Sequence, residues 1–194
     1  MKTSYRSLIL SLVLIPSIGY SSDKNNTYAI EGAGIASCSK FVESASKKDN
    51  HYYVYGGWVE GFLTASNQHQ EQTFDLTPWQ STQLILKIIE SICTENPKAK
   101  FHQVLNNLVP ELSKQRISIG GKFVDIDGKR KYVFQEEVIL RMKKALTNKQ
   151  LYTGGLTTEY SDELKNSVIK FQKKIHQNAT GLPDQATLFE LFKP

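Results

Sequence analysis

Between residues 117 and 134 the hydrophobic period of the chain changes, and that change constrains what can lie on either side of it. The stretch reads Ile117-Ser118-Ile119, Gly120-Gly121, Lys122-Phe123-Val124-Asp125-Ile126, then Asp127-Gly128 and a basic-aromatic run ending Tyr132-Val133-Phe134. Alternation around an Asp-Gly pair signals a β-hairpin, because the turn needs residues that tolerate positive φ. Before and after it the apolar residues take the spacing of one buried helix face. The expected fold is therefore mainly α. A four-helix module covers 35–113, a hairpin connector 114–134 and a three-helix bundle 135–194. A chain of 194 residues with 40% hydrophobic content is long enough to bury two small cores.

In the first module, Ile35, Cys38, Phe41, Val42 and Ala45 share one face, and Ser46-Lys47-Lys48-Asp49-Asn50 closes the segment with turn-forming residues. Tyr55 to Asn67 is the next helix, with Trp58, Phe62 and Ala65 on one side. Gly57, Gly61 and Ala65 are spaced to let another helix approach closely. Thr77-Pro78-Trp79-Gln80 reads as a capped helix start leading into Leu84, Ile85, Ile88, Ile89 and Ile92. Asn96-Pro97 opens a fourth helix in the same way. Phe101, Val104, Leu105 and Leu108 line it, and Pro110 marks a kink or stop near its end. Residues 23–34 are polar and read as a loose leader.

The first residues are an export signal. Lys2 and Arg6 give a basic start, Leu8 to Ile15 an apolar stretch too short to span a bilayer, and Ser17 and Gly19 the small residues of a cleavage site. Residues 1–19 are thus expected to be removed, leaving a periplasmic protein with no stable membrane insertion. Export changes the reading of charge. The formal +5 of the whole chain falls to +3 once Lys2 and Arg6 are gone. Asp23 adds −1 and residues 24–113 carry −2, whereas 114–130 and 131–194 carry +3 each. The basic half suits an acidic surface, and an exported protein has no nucleic acid as its first partner. Cys38 and Cys93 fall on different expected helices, and in an oxidising compartment a structural disulfide is the reading. A thiol nucleophile needs a positioned His, and neither Cys has that local context.

In the last third, Val138, Ile139, Met142 and Leu146 line one helix, and Leu164, Val168, Phe171 and Ile175 line the next. Ser161 stands as cap of the second, and Asp184 as cap of a third helix holding Leu188 and Leu191. Through Met142-Lys143-Lys144-Ala145-Leu146, Tyr152-Thr153-Gly154, Val168-Ile169-Lys170-Phe171-Gln172 and the closing Thr180-Gly181, Asp184, Thr187-Leu188, Leu191, residues 138–191 resemble the three-helix peptidoglycan-binding domain of bacterial envelope proteins, block for block with no insertion or deletion. The resemblance implies a small helical bundle with a shallow groove. It points to Tyr152, Gly154 and Gln172 as contacts for a sugar or stem peptide. From spacing and chemistry, Tyr152 and Gln172 suit the core and a ligand equally well, whereas Phe171 is a core residue. The sequence departs from the family at Thr157, Thr158, Ser161, Leu164 and His176, all at or near loops. Residues 35–113 resemble a helical module of exported proteobacterial proteins and, more weakly, disulfide-bonded periplasmic immunity factors. Neither likeness implies a reaction.

No constellation for catalysis or metal binding stands out. His51, His69, His102 and His176 show no short ligand pair, and Gly32-x-Gly34 lacks the rest of a phosphate-loop fingerprint. Asp125-x-Asp127-Gly128 is only a fragment of a calcium loop, without its closing Glu. The expectation is a non-enzymatic protein with no cofactor. It binds peptidoglycan through 135–194 and engages a periplasmic protein partner through 35–113. One alternative is a wall hydrolase with Glu60 as acid and Asp75 or Glu71 as its partner. Another is an immunity-like interaction factor.

Overall fold

The computed structural model describes residues 23, 25 and 27–193, so the expected export signal at 1–19 lies outside the described residues. Packing divides the chain after Ile30. Before that point the Asp23 carboxylate accepts from the backbone N–H groups of Asn25 and Thr27, forming a small turn. Glu31–Pro194 is a single compact unit, and the fold is mainly α with one two-stranded hairpin.

After a 3-10 turn at Gly32–Ile35, four helices make the first half: α1 (Cys38–Lys47), α2 (Asn50–His69), α3 (Thr82–Glu95) and α4 (Phe101–Ser113). Their core is aromatic at its centre. Phe41, Tyr55 and Phe101 meet in pairs at centroid distances of 5.0, 4.8 and 4.7 Å, tilted or edge-on as ring quadrupoles prefer. Around them Val59, Leu76, Ile85, Ile89 and Leu105 are buried. Cys38 and Cys93 form a disulfide that ties the first residue of α1 to α3. Beside it, Cys38 N–H donates to the Ala99 carbonyl and Ser39 N–H to that of Pro97.

Several local expectations are corrected here, each for a tertiary reason. Ile35 leaves the buried face for the 3-10 turn and is 58% exposed. The leader expected over 23–34 is partly ordered by that turn, in which Gly34 is buried. α2 starts well before Tyr55, because the Asp49 side chain caps it by accepting from Tyr52 N–H. Nothing approaches Gly57 or Gly61. It is Gly56 that faces α3, with Leu86 3.6 Å from where a Cβ would sit. Thr77-Pro78-Trp79-Gln80 is not a helix start. α3 begins at Thr82 behind Ser81, whose hydroxyl accepts from Leu84 N–H, because Trp79 is drawn across to the other half of the molecule. α4 likewise starts at Phe101 and not at Pro97, and it runs through Pro110 to Ser113.

The connector holds β1 (Phe123–Asp125) and β2 (Val133–Gln135), antiparallel with Val124 opposite Phe134. Residues 117–119 do not join this sheet. Ile117 instead makes an isolated bridge with Asp75. The hairpin loop is wider than a two-residue turn. Asp125 accepts from the N–H groups of Gly128 and Arg130, and Asp127 accepts from Lys129 N–H. These carboxylates hold their own loop together, with Gly128 at φ +65°.

The last third packs α5 (Glu136–Asn148), α6 (Asp162–Lys174) and α7 (Gln185–Phe192) around Val138, Met142, Leu146, Leu164, Val168 and Leu188. Ser161 and Asp184 cap α6 and α7 as expected, accepting from Leu164 and Thr187 N–H. Trp79 and Ile117 complete this second core from outside the three helices. The Trp79 ring lies 5.3 Å from that of Phe192, and its indole N–H donates to Gln115 at 2.9 Å. Gln185 clamps the same place from the other side. Its carbonyl accepts from Ser81 N–H at 2.6 Å and its amide donates to the Trp79 carbonyl.

Candidate functional site

The residues that the family resemblance singles out in the last third lie together but mostly inside. Tyr152 is 3% exposed, and its hydroxyl donates to the Gly155 carbonyl at 2.9 Å. Gln172 is fully buried. Its carbonyl accepts from Gly181 N–H at 2.8 Å, and its amide donates to the Leu182 carbonyl at 2.9 Å and to Thr187 Oγ1 at 3.1 Å. The amide nitrogen and one lone pair of the carbonyl oxygen are thus committed within the protein. Tyr152 and Gln172 thus shape the loops 153–159 and 178–184, and they present no free ring face or amide to solvent. A side chain at Gly154 would begin 2.3 Å from Glu163 Oε2 and 2.6 Å from the Tyr152 hydroxyl, so the exposed Glu163 would have to swing aside and the buried Tyr152 hydroxyl to shift.

Lys143 sits beneath the same loop, 1% exposed. Its ammonium donates to Thr157 Oγ1 at 2.8 Å and to the Gly155 carbonyl at 3.3 Å, and lies 5.6 Å from the Tyr152 ring centre. Among the described residues no carboxylate comes within salt-bridge distance of it. Thr157, one of the departures from the family, is therefore a partner for Lys143. His176, another, adopts φ +56° after α6, the left-handed region where glycine is at ease. Tyr160 closes the bundle, donating to the Gly181 carbonyl at 2.7 Å, and burial pushes its hydroxyl well above the ordinary phenol range.

The residues considered for chemistry are dispersed. Glu60 stands on the exposed side of α2 and accepts from the Thr82 hydroxyl at 2.7 Å. Asp75 accepts from Thr77 N–H in a turn, and Glu71 is exposed in the loop before it. Trp58 stacks on Phe62 and donates to the Glu31 carbonyl, so it seals the first core. His102 is bonded to the Gly34 carbonyl at 3.0 Å.

Two of the concavities among the described residues touch the start of α7. One is a groove of about 720 Å³ between α3 and α7, with Leu84, Ile88, Ile92 and Phe189 as its apolar floor. The other is a cleft of about 320 Å³ walled by the Pro78-Trp79 turn, by Lys131 to Phe134 of the hairpin and by Pro183 to Gln185 at the start of α7. Sequence reasoning missed this cleft because its walls come from three separate stretches of chain. The Thr77-Pro78-Trp79-Gln80 cluster was the visible signal, read as a helix start. No protein-family model, no curated protein and no solved structure matches this chain.

Proposed function

We propose that this is an exported, non-enzymatic protein of the periplasm that binds peptidoglycan non-covalently through its last third, while the first helical half engages a protein partner. The observation that carries the reading is the last third itself. α5, α6 and α7 enclose one buried core, with Tyr152, Gly154 and Gln172 shaping the two loops at its surface. That organisation is the one implied by the resemblance to wall-binding bundles, and the net positive charge beyond residue 113 suits an acidic polymer. Tyr152 and Gln172 contribute by holding loops, so the polymer meets the loop surfaces and not these two side chains. The disulfide fits an oxidising compartment, and no described helix is long and apolar enough to cross a membrane.

The apolar groove along Leu84, Ile88 and Ile92 supports the second part of the reading, since half-exposed apolar floors favour protein contacts. The test is co-sedimentation of the full chain with isolated sacculi. Retention that weakens with added salt is expected, and a protein that stays in the supernatant where a known wall binder pellets sinks the proposal.

A further inference from the structure

We infer that the cleft between the Trp79 turn, the hairpin and the start of α7 is the binding site for a short zwitterionic peptide, the stem-peptide part of the wall polymer; this rests on the wall-binding reading above. The cleft is small, about 320 Å³, which suits a fragment of a few residues and not an extended glycan. Its walls mix polar groups with stiff apolar faces: Pro78 and Pro183 have fixed backbones, and Trp79 is locked by Gln115 and Phe192. The polar groups at its edge are a matched pair left without each other. Lys131 is exposed, its ammonium lies 5.7 Å from the Tyr132 ring centre, and it forms no ion pair among the described residues. Asp184 commits one oxygen to capping α7 through Thr187 N–H at 2.8 Å, and its other oxygen has no described partner. Tyr132 lines the same cleft with a hydroxyl that bonds to no described residue.

An ammonium without an anionic partner and a free carboxylate oxygen, set around proline and aromatic faces, are complementary to a peptide carrying both a carboxylate and an amine. A neutral sugar would use neither charge. The site is also held from behind. Gln172 fixes Gly181 and Leu182, the residues that lead into Pro183 and Asp184, and Gln185 bonds the Trp79–Ser81 wall. Gln172 is thus a positioning residue for Asp184. This gives the buried glutamine a part in recognition without direct contact.

Two charge variants test the site without threatening the fold. Asp184→Asn keeps the cap, since Asn caps helices as well as Asp, but removes the charge. Lys131→Gln alters an exposed side chain. The full chain and each variant are titrated with a synthetic tetrapeptide bearing a free side-chain amine and a free carboxyl end, following Trp79 fluorescence in a Trp58→Phe background. N-acetylglucosamine tetramer is the comparison ligand, and sacculus co-sedimentation is run in parallel.

The expected result is that the tetrapeptide binds, each variant weakens it by about tenfold with an unchanged melting temperature, and the tetramer does not compete. If the parent chain pellets with sacculi but the variants bind the tetrapeptide as well as the parent does, the cleft inference is overturned and the wall reading stands. Competition by the tetramer overturns the choice of ligand class. If nothing pellets yet the tetrapeptide binds in a charge-dependent way, the cleft inference holds and wall attachment fails. If neither occurs, both fall.

Discussion

Gln172 shows how much a single buried polar residue can organise. With no exposure it bonds Gly181, Leu182 and Thr187, and its loss leaves Gly181 N–H unpaired while the Leu182 carbonyl keeps only its bonds from Asp184 N–H and the Thr180 hydroxyl. Gln172→Leu is expected to cost about 2 kcal/mol by urea denaturation, the usual penalty for stranding buried groups. Lys143 should behave in the opposite way. Its ammonium is buried against neutral acceptors alone, so Lys143→Met is expected to leave stability unchanged or raise it by about 1 kcal/mol in the same assay. His176→Gly should also stabilise, by up to about 1 kcal/mol, because it relieves a left-handed conformation that an L side chain adopts only at a cost. Tyr160 sets an alkaline limit. Its folded-state value is raised by burial, so its contribution is complete below the ordinary phenol value of about 10 and is lost as pH rises through the folded value. Melts across that range should show stability declining with pH more steeply in the parent chain than in Tyr160→Phe. At this scale the sequence was ambiguous. Tyr152 and Gln172 carry types that suit the core and a ligand alike, and only burial assigns them.

α3 is the element in which period and packing part company. Its apolar residues make two stripes: Ile85, Ile89 and Cys93 face the core, and Leu84, Ile88 and Ile92 face the groove. Ile89→Ala is expected to cost about 2–5 kcal/mol, as a fully buried truncation does, whereas Ile88→Ala should cost roughly 1 kcal/mol or less. Equal losses in denaturant titrations of the two variants would show that the groove side is as buried as the core side. Such a helix reads from sequence as one broad apolar run, which is why its presence was legible and its second face was not. Helix boundaries failed for a related reason. Thr77-Pro78 and Asn96-Pro97 both carry start signals, yet each stretch is taken up by tertiary bonds, to Gln185 in one case and to α1 in the other. Ser161 and Asp184 have no such competing partners for their backbone, and there the capping rule placed the helix correctly.

For the whole molecule, two clasps matter. The disulfide joins residues 55 apart, and closing a loop of that size contributes roughly 4 kcal/mol through the entropy of the unfolded chain. The double variant Cys38→Ser/Cys93→Ser should therefore unfold at clearly lower denaturant, and reducing agent should destabilise the parent chain but not the variant. The second clasp is Gln185 with Trp79, which links the two cores. Trp79→Ala is expected to remove about 3–5 kcal/mol and to loosen the last third more than the first. Hydrogen exchange would show faster exchange in α5 and α7 than in α1.

Residue type and spacing are enough to name the parts: helical period on both sides of a hairpin signal, two cysteines able to pair, caps at Ser161 and Asp184, and a net positive charge confined to the second half. These are local properties, set by spacing and residue type within a few turns of chain. Tertiary structure alone decided that Trp79 belongs to the second core, that Gly56 and not Gly57 or Gly61 meets α3, and that the polar cleft exists at all. Each depends on residues far apart in the chain. Their meeting is governed by which arrangement buries the most apolar surface while leaving no buried polar group unpaired.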